Sequence, residues 1–420
     1  MPTSAAQLSR TATGGYRAGT AAYRRMIAAL MAGGLANFSL MYFVQPLLPL
    51  LVSHYSITPA ESAHALSITT ATITVGLLVA GPLSDRFGRV QLMRWSLVAS
   101  GLLGLATAFA PSWAALLVMR GLLGITSAWF PAAALAFLRE EVAPGSHGRA
   151  NAAYIAGTAI GGATGRLLPG PLAALGGWVG TAATMGVLTL GAGVTLWLLL
   201  PESATFRPHH SDLREILLGT ITTGRDKVLA WLCIAGFAGM GTFVAVYNAV
   251  AFRLQAAPFS LGSAAGWVYL AYPIGIAAPY LLRRLSDRDG RGHTTAFAAS
   301  LLVLAVAITS LPWLVTVFGG LGLITFAFLG VHSLLSGWVV DRASRRGLGN
   351  AQASSAYLLT YYLGSTIAGA LATWEWQQTG WPGVELVSLG FAIATLVAVG
   401  MASRLDRNPK VRLSQQPTHL

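Results

Sequence analysis

The strings LSDRFGR at 83–89 and LSDRDGR at 285–291 each place an aspartate beside an arginine, then a glycine and a second arginine. Such a set offers a charge pair for ion-pair or proton chemistry, or a basic turn around an anion. Other groups able to bind or move charge stand inside apolar stretches. These are Arg120, Arg166 and His332, with amide and phenol side chains at Asn37, Tyr42, Gln45, Tyr247, Asn248, Tyr272 and Tyr361. No G-x-x-x-x-G-K-[ST], H-E-x-x-H or G-x-S-x-G is present, so nucleotide-driven pumping and intramembrane hydrolysis have no machinery to work with. The single cysteine, Cys233, rules out a disulfide framework or a thiolate metal cluster. The chain therefore reads as a non-enzyme with no metal and no cofactor.

The elements that hold these groups are set by composition. Of the 420 residues, 54% are hydrophobic and only 10% charged, against about 25% charged in a soluble domain. Twelve apolar runs fall at 26–50, 63–84, 91–110, 113–137, 150–172, 178–200, 228–251, 262–282, 295–312, 314–339, 351–374 and 384–402. Each is long enough to cross a hydrocarbon layer of about 30 Å, where helices alone satisfy their own backbone within one segment. The expected fold is an all-α membrane protein with twelve transmembrane helices in two pseudo-symmetric six-helix bundles. The first run is too long for a signal peptide and reads as an uncleaved helix.

The net charge of +13 records topology. Under the twelve-helix count, 24 of the 27 Lys and Arg fall on one side of the membrane; Arg120, Arg166 and Arg253 do not. The positive-inside rule places both termini in the cytoplasm, and the basic loops meet lipid headgroups, with no nucleic acid as partner. The domains expected are a cytoplasmic tail at 1–25, a bundle at 26–200, a cytoplasmic loop at 201–227, a second bundle at 228–402 and a cytoplasmic tail at 403–420. The central loop begins PES and holds SDLREILLGTITTGRDK, a short interfacial helix and tether.

The chain repeats itself. The heptads stand 202 residues apart, and Tyr154 and Tyr357, Gly161 and Gly364, and Gly177-Trp178 and Gly380-Trp381 stand 203 apart. Six helices per copy gives both copies the same orientation. Parallel halves with a midplane site between them suit alternating access.

GPLSDRFGRV resembles the loop pattern G-x-L-S/A-D-R-x-G-R-R/K of the major facilitator superfamily, with Val90 where the pattern has a basic residue. Arg120-Gly-Leu-Leu-Gly124 resembles the family's fourth-helix R-x-x-x-G. YFVQPLLP (42–49), GTAIGGATGRLLPG (157–170) and SSAYLLTYYLGSTIAG (354–369) are similar to a bacterial branch of efflux permeases, the YnfM-like group. The resemblance covers the chain apart from its tails. It implies a secondary transporter of a small organic molecule, a proton-coupled antiporter, monomeric and multi-pass in a bacterial inner membrane. Uptake of a small metabolite, including an anionic one, is the alternative; a non-transporting membrane sensor is the third. The resemblance also makes Gly81, Ser84, Asp85, Arg86, Gly88 and Arg89 a gating latch, with Asp287, Arg288, Gly290 and Arg291 as the second copy.

Physics adds conditions to these roles. Asp85 at a helix C-terminus needs compensation, from a neighbouring helix N-terminus or from an arginine across the seam between halves. Arg120 and Arg166 each cost about 2.5–3.5 kcal/mol on insertion scales. They either bond backbone carbonyls and structure the bundle or present charge to an anion. His332 is either a hydrogen-bonded core histidine or a group titrating near neutral pH. The phenols and amides are substrate contacts or interhelical bonds. Gly157, Gly161 and Gly165, with Gly162 beside them, form a small face for close helix approach and resemble the superfamily's antiporter-associated fifth-helix pattern.

Overall fold

The computed structural model describes residues 15–203, 206 and 221–407. Most of both expected tails (1–14 and 408–420) and the 211–220 part of the interfacial segment lie outside the described residues. Regular structure in the described chain is helical, apart from one isolated bridge between Tyr16 and Val142. The helices are α1 Ala21–Tyr42, α2 Leu48–Tyr55, α3 Pro59–Ser62, α4 His64–Phe87, α5 Arg89–Thr107, α6 Trp113–Glu141, α7 His147–Leu167, α8 Pro169–Leu199, α9 Lys227–Gln255, α10 Ala278–Asp289, α11 Arg291–Thr309, α12 Leu314–Arg345, α13 Asn350–Thr379 and α14 Trp381–Arg407.

Every apolar run falls on helical structure. Among the described residues, nine segments are long and apolar enough to cross a membrane on their own. The helices α5, α7 and α13 are not among them. Each carries polar groups in its span: Arg89, Arg94 and Ser96 in α5, many glycines and Arg166 in α7, and Ser354, Ser355 and Glu375 in α13.

Three runs depart from the single helices expected. The first stops at Tyr42, tightens into a 3₁₀ turn at Gln45–Leu47 and resumes as α2. Pro46 and Pro49 cannot donate to the helix ladder, and their rings crowd the carbonyl four residues back. The eighth run begins as a 3₁₀ helix, Gly262–Ala277, before relaxing into α10. Between the fifth and sixth runs there is hardly a loop: α7 ends at Leu167 and α8 starts at Pro169, with a kink at Gly177 (φ 57°, ψ −155°).

The chain divides into two compact units. One takes the described chain up to Leu47 and again from Thr72 to the central loop; the other takes Leu48–Ala71 and everything from 221 onward. The first unit's core is built on Met26, Leu30, Leu97, Phe130, Phe137 and Leu196. The second is built on Leu229, Leu232, Leu335, Trp338, Tyr357 and Val399. Within the second unit, α2 packs on α9 and α3 on α13. Thr70 Oγ1 lies 2.9 Å from Thr366 Oγ1, and Ser67 Oγ donates to the Thr366 carbonyl at 3.4 Å.

The repeat is written in backbone angles. Gly88 has φ 96° and ψ 149°, and Gly290, 202 residues on, has φ 86° and ψ 145°. Gly177 at φ 57°, ψ −155° is matched by Gly380 at φ 71°, ψ −148°. All four lie where a side chain is strained. Contacts repeat as well. A Cβ on Gly161 would strike the Leu35 carbonyl oxygen, and one on Gly364 the Phe237 carbonyl oxygen. Lipid tails are as apolar as the helices, so close packing of this kind carries much of their association.

Candidate functional site

In the first unit the expected polar residues converge on the break in α1. The last turn of a helix leaves its carbonyls without N–H partners. Arg120 on α6, fully buried, takes two of them: Nη1 donates to the Leu40 carbonyl at 3.2 Å and Nη2 to the Met41 carbonyl at 2.8 Å. The negative end of the α1 dipole thus supplies counter-charge to the guanidinium. Arg166 on α7, also buried, donates from Nε to Gln45 Oε1 at 2.7 Å and from Nη1 to the Gly162 carbonyl at 2.7 Å. Its guanidinium lies over the Tyr42 ring, 4.1 Å from the centroid, and that of Arg120 over Phe43 at 5.5 Å. Asn37 is tied in by Nδ2 donating to the Ser127 carbonyl at 3.1 Å.

The α7 glycines lie against the same helix. A Cβ on Gly157 would fall 2.8 Å from Met31 Cα, and one on Gly165 2.6 Å from the Ser39 carbonyl oxygen. Ser39 Oγ donates to the Gly161 carbonyl at 3.0 Å.

In the second unit the expected residues join an aromatic tract. Tyr247 Oη and Thr325 Oγ1 are 2.6 Å apart, and Tyr269 Oη donates to the Tyr247 carbonyl at 3.1 Å. The Phe243 ring stacks on Tyr247 at 4.2 Å and on Phe328 at 4.4 Å, with Tyr272 edge-on to both Phe243 and Tyr247. Phe328 continues to His332 at 6.2 Å, and His332 to Tyr357 at 5.7 Å and Tyr361 at 4.7 Å. His332 Nδ1 lies 2.9 Å from Tyr357 Oη. Phe328 and Tyr357 are buried, whereas His332 and Tyr361 are half-buried and form the open edge. His332 Nε2 has no hydrogen-bond partner among the described residues. Asn248 is buried beside Gly369, where a Cβ would fall 2.7 Å from its Nδ2. Phe243, Phe328 and Tyr357 were not expected here. Phe328 stands one helical turn before His332, a spacing that places both on one face.

The heptads end in two different networks. Asp85 is met from within its own string: Arg89 Nη1 donates to Asp85 Oδ1 at 2.5 Å and to Ser84 Oγ at 3.2 Å. Nε and Nη2 of Arg89 reach Glu140 on α6 at 3.1 and 2.9 Å. Gly88 provides the positive-φ turn between α4 and α5, Gly81 lies one turn before Asp85 in α4, and Arg86 covers the Phe87 ring at 5.2 Å. Arg94 pairs with Glu202 of the PES string. In the second copy Arg291 pairs with Asp341 on α12 at 2.5 Å, while Asp287 and Arg288 are exposed with no ion pair among the described residues. Arg342 on α12 bonds Asp226 at 2.7 Å and Asp406 at 3.0 Å. Burial, then the neighbouring Arg342 charge, hold the Arg346 guanidinium below its ordinary pKa. Arg253, in the last turn of α9, donates to the carbonyls of Thr309, Ser310 and Leu311 and lies 4.3 Å over Trp381.

Twelve helical runs, a duplicated backbone and polar side chains held inside the helices define a multi-pass membrane transporter. The chain belongs to the major facilitator superfamily, whose family model matches residues 30–357. It is 35% identical to the "Uncharacterized MFS-type transporter YybF" of Bacillus subtilis (strain 168), over 94% of this chain and 96% of that one. It is also 35% identical to the "Inner membrane transport protein YnfM" of Escherichia coli (strain K12), over 92% and 93%. A bacterial homolog of the human lysosomal transporter Spinster, solved inward-facing and unoccupied, superposes with a TM-score of 0.69 at 15% identity, over 96% of this chain and all of that one. That likeness concerns the fold alone.

Proposed function

We propose that the protein exports a small organic molecule in exchange for protons, by alternating access, as a monomer in a bacterial inner membrane with both termini in the cytoplasm. The observation that carries the reading is His332. Of the five described histidines it alone stands in the middle of a membrane helix. Its Nδ1 is held by Tyr357, and its Nε2 lies at the open edge of the aromatic tract. Imidazole can take up and release a proton at a ring nitrogen, and we read His332 as the proton-exchanging group beside rings suited to an organic solute. The alternative, uptake of an anionic metabolite, would rest on Arg120 and Arg166, whose contacts are with backbone carbonyls, Gln45 and ring faces.

Everted membrane vesicles acidified inside test the proposal. Compounds drawn from growth profiles of a deletion strain against an overproducing strain are added one at a time. A transported compound dissipates the pH gradient only in vesicles holding the protein, and His332→Asn keeps substrate exchange while losing its dependence on the gradient. Flux indifferent to the gradient rules out proton coupling; accumulation favoured by an inward gradient reverses the direction to uptake.

A further inference from the structure

The open edge of the second unit's aromatic tract is built from two helical pairs. Phe328 and His332 stand one turn apart on α12, and Tyr357 and Tyr361 one turn apart on α13, each pair on one face. Wherever these four rings contact one another, their planes meet at between 21° and 40°. They form a leaning stack, buried at Phe328 and Tyr357 and half-buried at His332 and Tyr361. Gly236 on α9 lets the Tyr357 ring seat deeply: a Cβ there would fall 2.4 Å from Tyr357 Cε2.

The Tyr357 hydroxyl decides which nitrogen of His332 carries the hydrogen. The phenol is buried, and the hydroxyl's one hydrogen-bond contact among the described residues is His332 Nδ1, at 2.9 Å. A buried O–H left without an acceptor is costly, so the phenol donates to Nδ1. The neutral imidazole then bears its own hydrogen on Nε2. The protonated ring bears one there as well, so the edge presents an N–H donor in either state. That N–H has no acceptor among the described residues, and a solute that displaces water from it must supply one.

We infer that the solute is a flat aromatic compound carrying an oxygen or nitrogen acceptor, laid against His332 and Tyr361 with that acceptor on His332 Nε2. A conjugated ring continues the leaning stack, whereas a puckered saturated ring covers the same surface without the stacking attraction. The acceptor pairs the N–H that the tract leaves open. This substrate class rests on the export reading only in requiring that the solute meet the His332 edge. It holds whether or not the protein exchanges protons.

Equilibrium dialysis of the purified full chain in maltoside micelles, against micelles alone, tests this without a pH gradient. Naphthalene-2-carboxamide has both features. Its decahydro analogue keeps the amide and loses the flat ring, and 2-ethylnaphthalene keeps the ring and loses the acceptor. The parent chain should bind the carboxamide about threefold or more tighter than either of the others. Tyr361→Leu narrows the advantage over the decahydro compound. His332→Phe keeps a ring and erases the advantage over ethylnaphthalene. Tyr280→Phe, at an exposed position on α10, changes neither. The three probes are compared on the parent chain, so the test decides even where a variant fails to fold. No saturable binding of the carboxamide, equal binding of either other probe, or ratios unchanged in both Tyr361→Leu and His332→Phe overturns the class. The expected preference together with flux indifferent to the pH gradient defeats proton coupling alone; gradient-driven flux without the preference defeats the class alone.

Discussion

Arg120 and Arg166 show how a membrane helix can hold a guanidinium on backbone carbonyls. Their partners include the carbonyls of Leu40, Met41 and Gly162 and the amide of Gln45. Removing the guanidinium strands buried acceptors, each worth about 1–3 kcal/mol. Arg120→Gln and Arg166→Gln are therefore expected to lower the unfolding midpoint in detergent by several degrees and leave the charge preference among transported compounds unchanged. Loss of anion transport at undiminished stability would reinstate the charge-presenting reading. The depth of both arginines was legible in the sequence, but their partners were not, because a carbonyl has no letter of its own. For Asp85 the letters were present. Arg89 stands four residues on, yet the intervening Gly88 turn hides from simple helical spacing that the two still meet.

At the scale of elements, α1 and α7 fit through glycine. Gly157, Gly161 and Gly165 leave room for the backbone of Met31, Leu35 and Ser39, an approach that no larger residue permits without displacing one helix. Gly161→Val is expected to cost about 1–3 kcal/mol by overpacking, read as a lower unfolding midpoint. Gly180→Ala on α8 has open space at its Cβ and should be neutral or stabilising by up to about 1 kcal/mol through helix propensity. A midpoint for Gly161→Val equal to that of the parent would show that the two helices yield freely. The G-x-x-x-G steps were readable as a packing face, but not the partner they face. The break in α1 was also hidden: Pro46 and Pro49 lie in an apolar run, and hydropathy does not see where a ladder loses its donors.

At the scale of the whole molecule, the repeat was the most legible feature, because the heptads and the Gly-Trp pairs keep nearly the same offset, 202 and 203 residues. The glycines at these landmarks hold matching torsions, which explains why these letters persisted while their neighbours changed. The basic loops predict an orientation that can be measured directly. Cys233 is buried, so a Cys233→Ser background leaves few side reactions. In that background Gln378→Cys, exposed at the end of α13, should react with an impermeant maleimide in spheroplasts, and Ser344→Cys only in everted vesicles. The reverse pattern would invert the topology.

The strip Leu48–Ala71 gives the division of the chain an unexpected consequence. A cut in the central loop looks like the natural seam between two halves. A fragment that begins there, however, lacks the residues that pack on α9 and α13, and Thr366 loses its bonds to Ser67 and Thr70. The fragment from the other side of the cut carries that strip. Reassembly from two pieces is therefore a socket being filled, not two finished bodies docking, and the socket's own piece is the one that needs its counterpart to be whole.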